Sequence, residues 1–335
     1  MSCLQNGSPV PPELSFEALT PVSFLERSAA VFPNRTAVVD GDLRFTYAEF
    51  LERSQRLAGG LQPLAQGLPI AVLLPNTHVM LEAHHGVPWA GSPLVTVNTR
   101  LAPAEVAYIL EHSGAAVLLH DPRYDGLVAD TLDQMSAPPL GLRAGPGDGG
   151  DDERLLAGST CRTSRPDDER DLLAINYTSG TTGRPKGVMY HHRGAYLQSV
   201  AMLEHTRMEA SSAYLWSLPM FHCNGWCFPW AVTAAGATHV CLDKVDAAKI
   251  WRLVEQERVT HLCGAPTLLS TMLDTTHAIP LGGPSHHVPH RWRAPQSHTS
   301  GGRGPLADRR DAPVWPDREV RTGGPVRLEP RLGRP

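Results

Sequence analysis

The stretch with the densest chemistry is Tyr177-Thr178-Ser179-Gly180-Thr181-Thr182-Gly183-Arg184-Pro185-Lys186-Gly187. Four aliphatic hydroxyls and three glycines crowd beside one ammonium, directly after an apolar run, Asp171–Tyr177, that reads as a buried strand. Glycines let backbone N–H groups close on an anion, and hydroxyls and an ammonium complete a cradle for phosphate oxygens. The carboxyl end of such a strand is where open α/β sheets bind ligands. It is not a Walker A loop, which needs Gly-Lys followed by Ser or Thr, because here Lys186 precedes Gly187. Composition alone equally describes a solvated surface loop. A second stretch, Leu218-Pro219-Met220-Phe221-His222-Cys223-Asn224-Gly225-Trp226, sets a histidine among apolar residues. On residue type alone His222 suits equally a functional role or a satisfied, partly buried histidine. Met220, Phe221, Trp226, Phe228 and Trp230 suit either the wall of an apolar tunnel or core. His191-His192 lacks a third ligand, and Cys223 and Cys227 have no second pair at zinc spacing, so no bound metal is expected.

These residues need a scaffold, and the pattern describes one. Thr20-Pro21 reads as the cap and first position of a helix reaching Phe32. Ala37 to Asp40 and Leu43 to Thr46 flank an Asp-Gly turn and read as a hairpin. Thr46 and Glu49 make a capping box for a helix to about Leu61. Strands at 70–74, 94–97 and 116–119 alternate with helices at 78–90 and 103–113. Residues 132–170 read as a linker rich in Gly, Pro, Asp and Arg. After the strand to Tyr177 and the glycine-rich loop, a helix is expected from Arg193 to His205. Strands at 213–218 and 238–242 flank an apolar helix at 226–235, and an amphipathic helix at 247–257 leads to a strand at 259–263. The alternation predicts an α/β fold with parallel-rich sheets covered by helices.

The 335 residues allow a large core and two subdomains. A net charge of −4 gives no electrostatic footprint for nucleic acid. No apolar run approaches a membrane span and no signal peptide is visible. Six cysteines at 3, 161, 223, 227, 241 and 263 read as reduced thiols, so a cytoplasmic protein is expected.

The loop from Tyr177 to Gly187 resembles the phosphate-binding signature of the adenylate-forming superfamily, the AMP-binding acyl-CoA synthetases, luciferases and adenylation domains. Pro33-Asn34-Arg35-Thr36-Ala37, Val97-Asn98-Thr99-Arg100-Leu101 and Leu218–Trp226 resemble its fatty-acyl and medium-chain acyl-CoA ligase branch. The resemblance implies activation of a carboxylate by ATP to an acyl-adenylate with loss of pyrophosphate, then displacement of AMP by CoA. It implies ATP, Mg²⁺ and CoA as cofactor and co-substrates, and a medium- or long-chain fatty acid as the acid. It implies that Thr178, Ser179, Gly180, Thr181, Thr182, Gly183 and Lys186 hold the β- and γ-phosphates, with magnesium bridging them, and that Lys186 and Thr182 assist the chemistry. By the same resemblance His222, Trp226 and Gly264-Ala265-Pro266 border the acyl pocket. Another superfamily ligase acting on an aryl or amino acid, and an inactive nucleotide-binding fragment, remain rival readings.

Residues 1–15 are expected to be a flexible start, 16–273 the N-terminal portion of an adenylation domain, and 274–335 a disordered tail foreign to the family. Of the tail's 62 residues 10 are Arg, 10 Pro and 8 Gly, too few of the rest being apolar to offset ordering entropy. The family's second Gly-Ala-Pro-Pro motif, its Tyr-Gly-x-Thr-Glu motif and its ribose-binding Asp do not occur here. Codons compatible with 290–296 and 314–320, read one base downstream, permit both motifs in family order. A shifted reading frame is therefore expected, and with it an incomplete fold, poor solubility and little ligase activity.

Overall fold

The structure, a computed structural model, describes residues 17–145, 150–178, 184–264 and 266–273. Its first helix, α1 (Ser23–Val31), starts at Val22 without a side-chain cap. The Thr20 hydroxyl, expected to cap it, instead lies 2.8 Å from Nδ1 of buried His192. A tertiary contact has outcompeted the local one. β1 (Thr36–Asp40) and β2 (Leu43–Thr46) form the anticipated antiparallel hairpin, turned at Gly41 with φ +60°. The capping box follows as read. Thr46 Oγ1 accepts from Glu49 N–H at 3.2 Å and Glu49 Oε2 accepts from Thr46 N–H at 2.7 Å, opening α2 (Tyr47–Ala65).

Next come β3 (Ile70–Leu73), α3 (His78–Trp89), β4 (Leu94–Thr96), α4 (Pro103–Ser113), β5 (Val117–His120) and α5 (Asp125–Leu132). The stretch read as a linker is not featureless. It holds β6 (Leu140–Arg143) and α6 (Asp151–Gly158). Both resemble loop in composition: β6 is a mostly exposed edge strand, and α6 opens on three acidic residues that suit a helix N-terminus. Arg53 ties α6 down, its guanidinium reaching Glu82 on α3 at 2.5 Å and Glu153 on α6 at 2.6 Å.

A second correction concerns the loop. β7 (Leu172–Thr178) is followed by β8 (Lys186–His191), which the sequence reading placed in loop. The two pair antiparallel, with Thr178 opposite Lys186, Tyr177 opposite Gly187 and Asn176 opposite Val188. The glycine-rich segment therefore joins the strands of a hairpin, and only then does α7 (His192–Thr206) begin.

The remaining elements are β9 (Ala213–Leu215), α8 (Cys223–Trp226), α9 (Phe228–Ala235), β10 (Thr238–Val240), α10 (Ala247–Gln256), β11 (His261–Leu262) and α11 (Pro266–Leu273). Two sheets result. One has the order β11-β9-β10-β1-β2 and the other β6-β5-β3-β4-β7-β8; in each, every pairing is parallel except the terminal hairpin. Alternate β3 residues show why the six-stranded sheet must be covered twice. Ile70 and Val72 join a core with α2, α3 and α9, while Ala71 and Leu73 join another with Val106, Ile109 and Leu110 of α4. Among the described residues no helix is long and apolar enough to cross a membrane.

Candidate functional site

The carboxyl ends of strands from both sheets converge, and asparagines join them. Asn76, just past β3, donates to the carbonyls of Trp216 at 2.7 Å and Leu218 at 2.9 Å and accepts from Met220 N–H at 2.8 Å. One buried amide thus fixes the path of the segment leading from β9 to His222. Beyond β11, the Cys263 carbonyl accepts from the Ser217 hydroxyl at 2.7 Å, which brings Gly264 to the same end. At the end of β7, Asn176 Oδ1 accepts from Asn224 N–H at 3.2 Å and lies 3.0 Å from the Thr96 hydroxyl, which is also 2.9 Å from the Phe221 carbonyl.

The segment these bonds hold has an unusual backbone. Cys223, Asn224, Gly225, Trp226 and Cys227 all have positive φ, between 48° and 64°, so α8 is a single left-handed turn. Only Gly225 adopts that region freely. Asn224 tolerates it, and Cys223, Trp226 and Cys227 each cost about 1–2 kcal/mol, which tertiary bonds must offset. Gly225 is required on a second ground, because a Cβ there would stand 2.7 Å from Cζ3 of Trp216. The turn leaves His222 and Trp226 exposed, Trp226 at 44%, while Asn224 is wholly buried. Both side-chain polar atoms of Asn224 and Nδ2 of Asn176 lack a hydrogen-bond partner among the described residues. Orphaned buried amides of this kind call for water or a ligand group.

Opposite residues of an antiparallel pair point to one face of a sheet, and so do residues two apart. Asn176 faces the turn through Asn224, so Thr178 and its partner Lys186 project from that same face of the hairpin. Thr178 and Lys186 are exposed, and among the described residues Lys186 has no ion-pair partner. A hydroxyl and an ammonium free on one face suit polyphosphate oxygens; this donor set carries no carboxylate to hold a metal directly. Magnesium fits here as a companion of bound phosphates, and CoA contacts are not defined by these groups. Among the described residues no group of three metal-ligating side chains occurs.

The thiols beside the turn are poor nucleophiles. Burial raises Cys223 above the ordinary thiol range and pushes Cys227 up to about 12. Tyr190 of β8, at Cys223, is likewise pushed up to about 12, chiefly by burial. All three stay protonated near neutrality.

The structure thus brings Thr178, Lys186, His222, Trp226 and Gly264 to one end of the molecule. Ser179, Gly180, Thr181, Thr182, Gly183 and Ala265 lie outside the described residues, and Pro266 opens α11. Gly187 has a packing reason of its own. It sits in β8, where a Cβ would meet Ile175 at 3.0 Å and the Tyr177 ring at 3.4 Å. Of the apolar candidates for a tunnel wall, Met220, Phe228 and Trp230 are core. Phe228 stacks on Tyr214 at 4.8 Å, and Trp230 donates to the His84 carbonyl at 3.0 Å. His191 caps α7 by accepting from Gly194 N–H. The sequence reading missed Asn76, Thr96, Asn176 and Asn224. Polar residues at strand ends are the one available signal for them.

A match to the AMP-binding enzyme family covers residues 25–301, most of the chain. This chain belongs to the AMP-binding enzyme family. Within that family it is 42% identical over 275 residues to 4-hydroxybutyrate–CoA ligase 2 of Metallosphaera sedula, covering 77% of this chain and 50% of that one. It is 36% identical over 291 residues to the peroxisomal benzoate–CoA ligase of Arabidopsis thaliana, covering 80% and 50%. The chain spans about half the length of the curated relatives it matches. Its fold superposes on the inhibitor-bound N-terminal domain of FACL13 from Mycobacterium tuberculosis with a TM-score of 0.70 and 28% identity, covering 78% of this chain and 66% of that one. The adenylate-forming α/β architecture expected from the sequence is the one observed.

Proposed function

We propose that the exposed Thr178 and Lys186 face binds the polyphosphate end of Mg·ATP, and that the His222–Trp226 turn across from it borders the carboxylic acid. The activity so served is acid–CoA ligation. A carboxylate oxygen attacks the α-phosphorus of ATP, pyrophosphate leaves with the bridging electron pair, and the thiol of CoA later displaces AMP from the acyl carbon. The protein's part in the first step is positioning and charge neutralisation. An exposed ammonium without an ion-pair partner among the described residues, on the strand face that also carries Asn176 against the turn, is the observation that supports this reading most directly. Residues 16–273 are read as the adenylation portion and the setting as cytoplasmic.

For the acid, the expectation of a medium- or long-chain fatty acid competes with a short or aromatic one. The relatives' names favour the latter, since they specify 4-hydroxybutyrate, acetate or butyrate, and benzoate. The orphaned amides of Asn176 and Asn224 also suit a small acid better than a long aliphatic tail. The expectation of little turnover from the chain as written belongs to the same proposal.

Calorimetric titration with Mg·ATP tests the reading. The chain should bind it, and Lys186→Gln should weaken binding by about tenfold or more, the worth of a charged hydrogen bond. No heat of binding from the unsubstituted chain would remove the proposal's foundation. Pyrophosphate exchange across acetate, butyrate, 4-hydroxybutyrate, benzoate and palmitate then ranks the acids and measures turnover.

A further inference from the structure

We propose that Tyr108 and His112, one turn apart on α4, are positioning residues that hold both stems of the hairpin bearing Thr178 and Lys186. The functional part rests on the polyphosphate reading above; the mechanical part does not. The Tyr177 hydroxyl and His112 Nδ1 share a hydrogen bond at 2.8 Å, with the two rings edge to face at 5.7 Å. On the other stem, the Tyr108 hydroxyl donates to the Pro185 carbonyl at 3.3 Å, and the Arg184 guanidinium stands 5.6 Å from the centre of the Tyr108 ring. Tyr177 immediately precedes Thr178, and Pro185 immediately precedes Lys186. Each tether therefore acts one peptide away from a group that faces the site.

Opposite faces of β7 carry the two halves of this arrangement. Asn176 engages the left-handed turn, and the next side chain, Tyr177, engages α4. The Tyr177 ring lies across Gly187 of β8, close enough that a Cβ there would be 3.5 Å from its hydroxyl. That glycine is what lets the ring lie over both strands and still reach His112. β8 is the outer strand of its sheet, paired on one side by β7, so tethers from below matter more than they would in a central strand.

α4 is suited to act as a fixed ruler. Pro103 opens it, Glu105 Oε2 accepts from Ala102 N–H at 2.9 Å, and Gly114 ends it at φ +67°. Val106, Ile109 and Leu110 bury its other face against the sheet. Residues i and i+4 of such a helix lie about 6 Å apart on one face, the separation needed to catch two neighbouring strands about 5 Å apart.

The test compares Tyr108→Phe, His112→Leu, the double variant and His112→Asn in the full chain. Three quantities are read: affinity for Mg·ATP, pyrophosphate and AMP; thermal midpoint; and the rate at which trypsin cuts after Lys186, located by mass spectrometry. The double variant should be cut after Lys186 several times faster and lose about tenfold in Mg·ATP and pyrophosphate affinity, with AMP affinity and midpoint unchanged. His112→Asn, whose amide replaces the hydrogen-bonding group at Nδ1, should recover most of the His112→Leu loss. Unchanged cleavage after Lys186 in the double variant overturns the proposal, as does an equal loss for AMP and ATP or a midpoint drop that accounts for the change. Should the unsubstituted chain bind no Mg·ATP, the polyphosphate reading fails while the cleavage rates still decide whether α4 holds the stems.

Discussion

The two flanks of the candidate site are built on opposite terms. The hairpin flank presents Thr178 and Lys186 to solvent from an edge strand and fixes them through a few side-chain contacts to α4. The turn flank is backbone-strained and anchored on buried Asn224 and Gly225, and Asn76 alone supplies three hydrogen bonds to the segment that leads into it. The charge proposed to meet an anion is exposed and, among the described residues, has no ion-pair partner, so it costs little when empty. The shape proposed to border the acid is fixed from the core, where strain of several kcal/mol is offset by packing. Substitutions on the two flanks should therefore separate cleanly, into those that alter stability and those that alter binding.

The largest effect is expected at Asn76. Asn76→Leu strands the Met220 N–H and the Trp216 and Leu218 carbonyls, and should lower unfolding free energy by about 3–5 kcal/mol in urea titrations. A loss near zero would mean that the segment before His222 is not held as described. Acid comes next. His84 and His239 are buried neutral, held down to about 4 and about 3 by desolvation, and burial likewise holds His85 well below its usual value. His239 has both nitrogens engaged, Nδ1 accepting from Trp216 Nε1–H at 3.1 Å and Nε2 at 3.0 Å from the Thr233 hydroxyl. Because the folded values lie below the unfolded value of about 6.5, the unfolded chain binds more protons in acid. Stability is thus intact above pH 6.5 and falls below it by about 1.4 kcal/mol per pH unit for each such histidine. Urea midpoints measured from pH 7 to 4.5 should show this, and His239→Gln should flatten the slope by about one proton. An unchanged slope would take His239 out of the account.

Gly225→Ala probes the turn itself. The added methyl meets Trp216 at a positive φ, and a loss of about 2–3 kcal/mol is expected in the same titration, with the hairpin's Mg·ATP affinity unaltered. If affinity falls in step with stability, the two flanks are not independent. Smallest on the stability scale is Lys186→Gln, within about 0.5 kcal/mol of the unsubstituted chain, although its effect on binding should be the greatest of the four.

Much of this was legible before the fold was known, and the exceptions share a cause. Alternating elements, the hairpin expected from Ala37 to Thr46 and the Thr46–Glu49 capping box follow from local pattern, and the structure has them. β8 was not, because Lys-Gly-Val-Met-Tyr-His at a sheet edge shows no buried alternation, and the glycine-rich motif beside it suggested loop. β6 and α6 hid in an acidic, glycine-rich stretch for a similar reason. Nothing in Cys223, Trp226 or Cys227 announces a left-handed backbone; Asn224-Gly225 is the one hint, and the conformation is imposed by contacts distant in sequence. Lys186 and His222 stand out in the sequence within motifs that resemble a family's, whereas Asn76 and Asn176 act through partners 48 to 144 residues away.

The pairing of Thr178 with Lys186 also constrains how this segment can vary. Strand side chains alternate with a period of two, so one residue inserted between Gly187 and Tyr190, with the pairing below kept, would swing the ammonium to the α4 side and leave the side facing the left-handed turn bare. Changes of residue at exposed Met189 should be harmless by comparison. Parity, besides the identity of Lys186 and Gly187, is what this short strand has to keep.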